Sequence, residues 1–186
     1  MPLTFRYLNA ISLLIINVIL LFAFYDQFAN SELPCPLCLL QRVAFVAIMF
    51  GVLLNIQYGP KPSHYGFIMI AVLFGMMVAL RQISLHVIPG TPAYGDAILG
   101  LHYYTWAFVC FFLVGFGVSV VILFNGQFSP YTTPVSFKSL PLWVRVIIIS
   151  ALLIIIANAF SAFFECGPGT CKDNPKAYFL LEKWFK

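Results

Sequence analysis

Long apolar runs are the feature that most constrains this chain. A helix that crosses a bilayer needs about 20 mostly apolar residues, because the hydrocarbon core is about 30 Å thick and each residue rises 1.5 Å. Hydrophobic residues make up 62% of the 186 residues and charged residues only 9%, whereas an ordinary soluble domain carries roughly 25% charged residues. The solvent for most of the chain is therefore lipid. The apolar runs predict five transmembrane helices, at about residues 8–25, 37–56, 65–84, 103–124 and 142–164.

The rest of the composition indicates one membrane domain. No Ser/Gly linker, charge run or repeat divides the chain, so we expect a single all-α polytopic domain over residues 1–186. The first apolar run is long and leads directly into the next one without a clear cleavage site, which favours a retained helix over a signal peptide. The net charge is +4, but Lys and Arg are scattered near helix ends instead of forming a basic stripe, which argues against nucleic-acid partners.

The positions of the basic residues predict the orientation, because cytoplasmic loops are enriched in Lys and Arg. One side of the predicted helices carries Arg6, Lys61, Lys138 and Arg145. The loops on the other side, residues 26–35 and 82–102, contain no Lys or Arg. This predicts a cytoplasmic amino terminus. The odd number of helices then places the carboxyl-terminal tail, residues 165–186, on the outer side of the membrane.

The cysteines fall into two groups. Four of the five form two close pairs, Cys35 with Cys38 and Cys166 with Cys171. The predicted orientation puts both pairs on the outer face, in an oxidising compartment where disulfides persist. Cys110 differs because it lies in the middle of a helix among phenylalanines, which indicates a small buried apolar residue without a chemical role.

The Cys-x-x-Cys pair lies where a helix starts. Pro34 and Pro36 end an extended segment, so the second helix is expected to begin near Leu37, with Cys38 in its first turn. Unpaired amides and the helix dipole favour an anion there, so the Cys38 thiolate should form more readily than that of a free cysteine. Arg42 lies one turn further on the same face and keeps its charge. Two interpretations of Arg42 stay open: snorkelling to lipid head groups, or an electrostatic clamp for a thiolate or an electron-accepting ligand.

The segment from Cys35 to Arg42, Cys-Pro-Leu-Cys-Leu-Leu-Gln-Arg, resembles the disulfide bond formation protein B (DsbB) family, and the likeness covers roughly the first four helices. The resemblance implies an all-α membrane fold with a four-helix bundle of DsbB type, here followed by a fifth transmembrane helix. It implies a quinone-dependent thiol:disulfide oxidoreductase in which ubiquinone or menaquinone oxidises Cys35 and Cys38, with Arg42 beside the quinone ring. It also implies a location in the bacterial inner (cytoplasmic) membrane, with the cysteine pairs and the tail in the periplasm, and a periplasmic thioredoxin-fold partner of DsbA type.

The second cysteine pair departs from the family pattern. In the family this pair lies in the outer loop between the third and fourth helices, but residues 82–102 contain no cysteine here. The loop instead contains His86 and His102 near aromatic residues, and it resembles variant members of the same superfamily. Both histidines are candidates for the quinone site, although residence at the membrane interface would also explain them.

The tail supplies a second pair if the fifth helix returns the chain to the outer face. On this hypothesis the Cys166–Cys171 disulfide oxidises the soluble partner and is restored by the Cys35–Cys38 disulfide. Each step is a thiolate attack through a mixed disulfide. A Gly-Pro-Gly segment permits a tight loop between the tail cysteines, and such short closed loops are often easier to reduce. A purely structural staple is the alternative for this pair.

Two other functions stay open. A metal protein would use the four paired cysteines as a zinc or copper site. An oxidising compartment works against free thiolates and the chain lacks His or Met clusters, so we expect no metal. A membrane scaffold whose disulfides only stabilise outer loops would need neither a quinone nor Arg42. Inertness toward reduced thioredoxin-like proteins would favour the scaffold.

Overall fold

The computed structural model describes residues 2–29, 32–88, 97–128, 134–173 and 175–184. Five of its helices are long and apolar enough to cross a membrane, with mean hydropathies of 2.0 to 2.6. This confirms the predicted all-α membrane fold. The five helices are α1 (Pro2–Ala29), α2 (Pro36–Tyr58), α3 (Pro62–His86), α4 (Tyr103–Ile122) and α5 (Leu142–Cys166). The other helical elements are α6 (Phe179–Trp184) and two 3₁₀ helices, Asn125–Gln127 and Phe137–Ser139.

Most helices extend beyond the apolar runs that predicted them. The hydrophobic-length criterion marks only the part of a helix inside the hydrocarbon, and α1 continues on both sides of residues 8–25. At the end of α5 the difference affects the site, because Glu165 and Cys166 belong to the last helical turn and not to the tail. α4 instead ends slightly early, at Ile122, because the chain turns there toward the first 3₁₀ helix.

A short antiparallel hairpin, which the sequence did not predict, leads into α4. Strand β1 (Ala97–Ile98) pairs with β2 (Leu101–His102). Leu99 and Gly100 between them have φ values of 52° and 81°, as a two-residue type I′ turn requires. Leucine is uncommon at positive φ, so the usual Asn-Gly or Asp-Gly signal was missing. The part of the predicted outer loop at residues 89–96 lies outside the described residues.

Interhelical hydrogen bonds show that α1 and α5 run parallel. Asn17 of α1 donates from Nδ2 to Ser150 Oγ of α5 at 2.8 Å. Further along both helices, Gln27 Nε2 donates to Ser161 Oγ at 2.9 Å. The carboxyl-terminal ends of α1 and α5 therefore lie side by side.

The first four helices alternate in direction. Near the end of α2, Asn55 Nδ2 donates to Asn9 Oδ1, near the start of α1, at 3.0 Å. α3 and α4 approach closely at Gly75, where an added Cβ would overlap the ring of Phe111. One end of the bundle consequently collects the starts of α2 and α4 and the ends of α1, α3 and α5. Both cysteine pairs lie at this end.

Candidate active site

The first cysteine pair is at the start of α2. Cys35 is the N-cap residue, and its Sγ accepts a hydrogen bond from the Cys38 backbone N–H at 3.1 Å. Cys35 and Cys38 form a disulfide. Cys38 lies in the first helical turn, as predicted, and is half-buried, whereas Cys35 is buried. The unpaired amides and dipole of the helix start therefore act on these sulfurs.

A buried glutamine of α3 contacts both sulfurs. Gln82 Nε2 donates to Cys35 Sγ at 3.3 Å and to Cys38 Sγ at 3.4 Å. Gln41 Nε2 donates to Gln82 Oε1 at 2.8 Å, which turns the amide nitrogen of Gln82 toward the disulfide. Gln82 is 1% exposed and Gln41 is 6% exposed. Neither glutamine was predicted as a site residue, although a glutamine inside an apolar helix is itself a signal for a buried polar contact.

Arg42 is held against α1. Its Nη1 donates to Gln27 Oε1 at 2.6 Å, and its Nη2 donates to the Ala23 carbonyl oxygen at 2.9 Å. The guanidinium carbon lies 5.2 Å from the centre of the Phe24 ring, within the range of a cation–π contact. Two hydrogen bonds thus direct the guanidinium into the bundle instead of toward lipid head groups. This geometry favours the clamp interpretation over snorkelling.

A cavity of about 460 Å³ adjoins these groups. Sites for small molecules commonly measure about 300–1,000 Å³ and are mostly apolar, and this cavity fits both criteria. Its polar lining comes from Asp26, Glu32, Cys38, Gln41, Arg42 and Gln82, and its α4 wall includes Tyr103, Tyr104, Trp106 and Cys110. Cys110, to which the sequence assigned no role, is therefore part of the cavity wall.

His86 and His102 lie behind this wall. Their rings stack on Tyr104, with centroid distances of 5.0 and 5.4 Å. His86 Nδ1 also lies 2.7 Å from the carbonyl oxygen of Gln82. Neither histidine is among the described residues that line the cavity. The structure brings them to the site through Tyr104 and not by direct contact with the cavity.

The second cysteine pair is at the end of α5. Cys166 is the last residue of the helix and forms a disulfide with Cys171. Gly167, which follows, has a φ of 63°, and an added Cβ there would overlap the ring of Phe179. Glycine is therefore the residue that fits this turn, both for its backbone conformation and for space. The turn allows the tail to fold back against the helix.

Gln27 links the tail to the first cysteine site. Its Nε2 donates to the Tyr178 hydroxyl at 2.7 Å, while its Oε1 accepts from Arg42 Nη1. Gln27 is 3% exposed. The two disulfides thus share one end of the bundle, and a path of hydrogen bonds connects the tail with the arginine beside the cavity. The sequence did not predict this connection.

The geometry of the cysteines also bears on the metal alternative. The four paired cysteines form two separate disulfides. Within the described ranges, no group of three or more His, Cys, Asp and Glu side chains is placed to hold a metal ion. The arrangement is instead suited to disulfide exchange, with a ligand cavity beside the first pair.

Comparisons with known proteins give relatives of one kind. A family model described as Disulfide bond formation protein DsbB matches residues 5–94. The chain is 30% identical to Disulfide bond formation protein B of Chromobacterium violaceum over 132 residues, which cover 66% of this chain and 80% of that protein. It is 38% identical to the Hahella chejuensis protein of the same name over 93 residues, 47% of this chain and 54% of the relative. No solved structure matches the chain significantly.

Proposed function

The chain belongs to the disulfide bond formation protein B (DsbB) family and is a multi-pass inner-membrane disulfide oxidoreductase, and from this premise we propose that its electron acceptor is a membrane quinone and its electron donor a periplasmic thioredoxin-like protein of DsbA type. The observation that carries the proposal is that Cys38 and Arg42 line the same apolar cavity. A redox-active sulfur, a fixed positive charge and space for a planar ring are thereby combined.

The cavity suits a quinone head group, either ubiquinone or menaquinone. Its lining is mostly apolar, with aromatic side chains of α4 on one side and the polar groups of α2 and α3 on the other. Val18 and Phe22 of α1 also line it, and both are largely exposed on the outside of the bundle. An opening beside α1 would allow an isoprenoid chain to extend into the bilayer. A bound quinone supplies a two-electron, two-proton acceptor, so that the Cys35 and Cys38 thiols can return to the disulfide.

Three groups stabilise the Cys38 thiolate in this proposal. The amides at the start of α2 provide a positive potential. Gln82 Nε2 donates directly to the sulfur at 3.4 Å. Arg42 lies one turn along the same helix face and contributes a full positive charge, which also favours negative charge developing on a quinone oxygen. His86 and His102 act indirectly, by supporting Tyr104 in the cavity wall.

The tail pair is the exchange site for the soluble partner. A partner thiolate attacks the Cys166–Cys171 disulfide, a mixed disulfide forms, and the partner leaves with its own disulfide while the tail keeps two thiols. A tail thiolate then attacks the Cys35–Cys38 disulfide in the same way, which restores the tail disulfide and reduces the first pair. The shared end of the bundle and the hydrogen bonds through Gln27 support this order.

The orientation follows from the same proposal. We place the amino terminus in the cytoplasm and both cysteine pairs in the periplasm. The support is the asymmetry of the loops in Lys and Arg, together with the common end of the two disulfides. Disulfide exchange with a soluble oxidase also requires an oxidising compartment.

The experiment follows quinone absorbance with purified protein, quinone and a reduced thioredoxin-like periplasmic oxidase. It compares the wild type with Cys38→Ser, Arg42→Ala and the double variant Cys166→Ser plus Cys171→Ser. Cys110→Ser is the matched control, because it makes the same change in the wall of the same cavity. A parallel series uses dithiothreitol, a small dithiol that can reach the first pair without the tail.

The relay predicts a specific pattern. Cys38→Ser abolishes quinone reduction with either reductant, Arg42→Ala weakens it, and Cys110→Ser retains it. Loss of the tail pair abolishes reduction by the protein partner but not by dithiothreitol. If the tail variant works equally well with the protein partner, Cys166 and Cys171 form a structural staple. If folded, quinone-loaded wild type reduces no quinone with either reductant, the quinone proposal fails.

A further inference from the structure

A buried carboxyl at the end of α5 has no role in the reaction as proposed above. Glu165 is 5% exposed, and neither of its carboxyl oxygens has a hydrogen-bond partner among the described residues. It precedes Cys166 in the last turn of a membrane-spanning helix. A carboxylate in such a place is costly unless a nearby charge compensates it. Glu165 therefore requires a nearby positive charge that compensates it electrostatically without a hydrogen bond.

The neighbours of Glu165 place it near Arg42. Ser161 lies one turn earlier on the same face of α5 and accepts a hydrogen bond from Gln27. Gln27 in turn accepts from Arg42. The hydrogen bonds of the guanidinium go to neutral groups, Gln27 and the Ala23 carbonyl. The charges of Glu165 and Arg42 nevertheless attract each other. Glu165 is thus a counter-charge that does not touch the cation.

Other ionisable groups around the end of α5 fit this role less well. They are Asp26 on α1, Glu32 before α2, Tyr178 in the tail, and Glu182 and Lys183 on α6. Glu32 lines the cavity together with Asp26 and Arg42, but its side chain is exposed. Asp26 accepts a hydrogen bond from the Tyr103 hydroxyl at 3.0 Å and attracts Arg42 less than Glu165 does. The two α6 residues are exposed, so solvent and salt screen their charges.

We propose that Glu165 is a positioning residue that acts through Arg42, because its negative charge offsets the guanidinium and sets how strongly Arg42 stabilises the Cys38 thiolate. The inference rests on the proposed roles of Cys38 and Arg42. If Glu165 loses its charge but keeps its shape, the positive potential of Arg42 is no longer offset and the net positive potential at Cys38 increases. The Cys38 thiolate then forms more readily at a given pH.

The test uses a Cys35→Ser background, in which Cys38 is a free thiol, and mass spectrometry separates Cys38 alkylation from alkylation of Cys110 and from a mixed disulfide with the tail. Glu165→Gln is compared with the parent, and the rate of Cys38 alkylation by iodoacetamide is followed against pH by mass spectrometry. We expect Glu165→Gln to raise the rate about three- to tenfold at pH values where Glu165 is ionised and the Cys38 thiolate is not yet fully formed, as loss of a unit charge at an effective dielectric constant of about 20 would. Below this pH window the protonated carboxyl and the glutamine amide are both neutral, so the two rates should converge. At high pH, where the thiolate is fully formed, both proteins should react equally fast.

Control variants separate charge from shape. Glu165→Met also removes the charge and should reproduce the glutamine profile, whereas Glu165→Asp keeps the charge and should restore the parent profile. Glu182→Gln removes an exposed carboxylate at the same end of the bundle and should change nothing. Identical rates in the parent, Glu165→Gln and Glu165→Met across the pH window in which Glu165 is ionised overturn the inference. So does a changed high-pH rate that Glu165→Asp fails to restore, because it indicates altered access to Cys38.

The inference and the proposed function can fail separately. The alkylation profile needs no quinone and no soluble partner, so it reports the field at Cys38 alone. Quinone reduction by the wild type tests the enzyme proposal. Alkylation that responds to Glu165 in a protein that reduces no quinone would refute the acceptor but keep the link between Glu165 and Arg42. A protein that reduces quinone, but whose Cys38 alkylation does not respond to Glu165, would keep the acceptor and refute the link between Glu165 and Arg42.

Discussion

Replacing Gln82 by methionine tests whether this amide activates Cys38. Methionine has a similar length but no N–H, so Gln82→Met removes the donor that lies 3.3 Å from Cys35 Sγ and 3.4 Å from Cys38 Sγ. It also removes the acceptor of the Gln41 amide. The change therefore affects the reactive sulfur and the stability of the fold through two different contacts.

The magnitudes follow from the two contacts. A hydrogen bond to a charged group contributes about 1.5–3 kcal/mol, and this donor faces a thiolate only after the disulfide opens. Since each 1.4 kcal/mol is a factor of ten, the Cys38 thiolate population below neutral pH should fall roughly 10- to 100-fold. The Gln41 amide, left buried without its acceptor, should cost about 1–3 kcal/mol of folding stability.

The assay combines Cys38 alkylation in the Cys35→Ser background with quinone reduction by dithiothreitol in the otherwise native chain. Gln57→Met is the matched control, because it removes the same kind of side chain near the far end of α2, where the amide bonds to the Val135 carbonyl, and leaves both Gln41 and Gln82 in place. It should lower thermal stability but change Cys38 alkylation less than about threefold. An unchanged alkylation profile in Gln82→Met would refute the proposed activation.

Three further changes address the rest of the cavity. Arg42→Lys keeps the charge, but a single ammonium group cannot reproduce the two-pronged hydrogen bonding to Gln27 Oε1 and the Ala23 carbonyl. Quinone reduction should therefore fall about tenfold, while the yield of folded protein stays normal. Cys110→Phe places a ring in the cavity wall and should weaken quinone binding about tenfold or more in a titration, whereas Cys110→Val should not. His86→Phe keeps the stacking on Tyr104 and should change the rate less than about threefold; a larger loss would indicate direct contact with the quinone.

The fold was predictable because few backbone structures are stable inside a lipid bilayer. Backbone groups inside a bilayer must be paired within the chain, so long apolar runs become helices. Three asparagines in these runs, Asn9, Asn17 and Asn55, link their helices to neighbouring ones by hydrogen bonds. Asn158 instead bonds to the carbonyl of Ile154 within its own helix. Hydropathy alone does not distinguish an asparagine that links two helices from one that bonds within its own helix, because both arrangements give the amide a hydrogen-bond partner.

The site was predictable only where its chemistry is local in sequence. The place of Cys38 in the first turn follows from the prolines around it, and Arg42 follows from helix periodicity. Gln82 reaches the sulfurs because α3 packs beside the start of α2, and the apolar runs do not specify which helices become neighbours. Glu165 was assigned to the tail because the apolar run stops before it. Its helical position makes it a buried charge instead of a solvated one.

The fifth helix explains how a chain without loop cysteines can keep two pairs at one end. α5 runs parallel to α1 and lies beside it, so its last turn arrives next to Gln27 and Arg42. The segment that holds the family's second pair is used differently here, because its hairpin places Ile98 in the cavity wall and accepts a hydrogen bond from Trp106. A redox loop must move to exchange electrons, whereas a cavity wall must stay in place. In the proposed relay the exchange pair lies in the tail, which separates these two requirements.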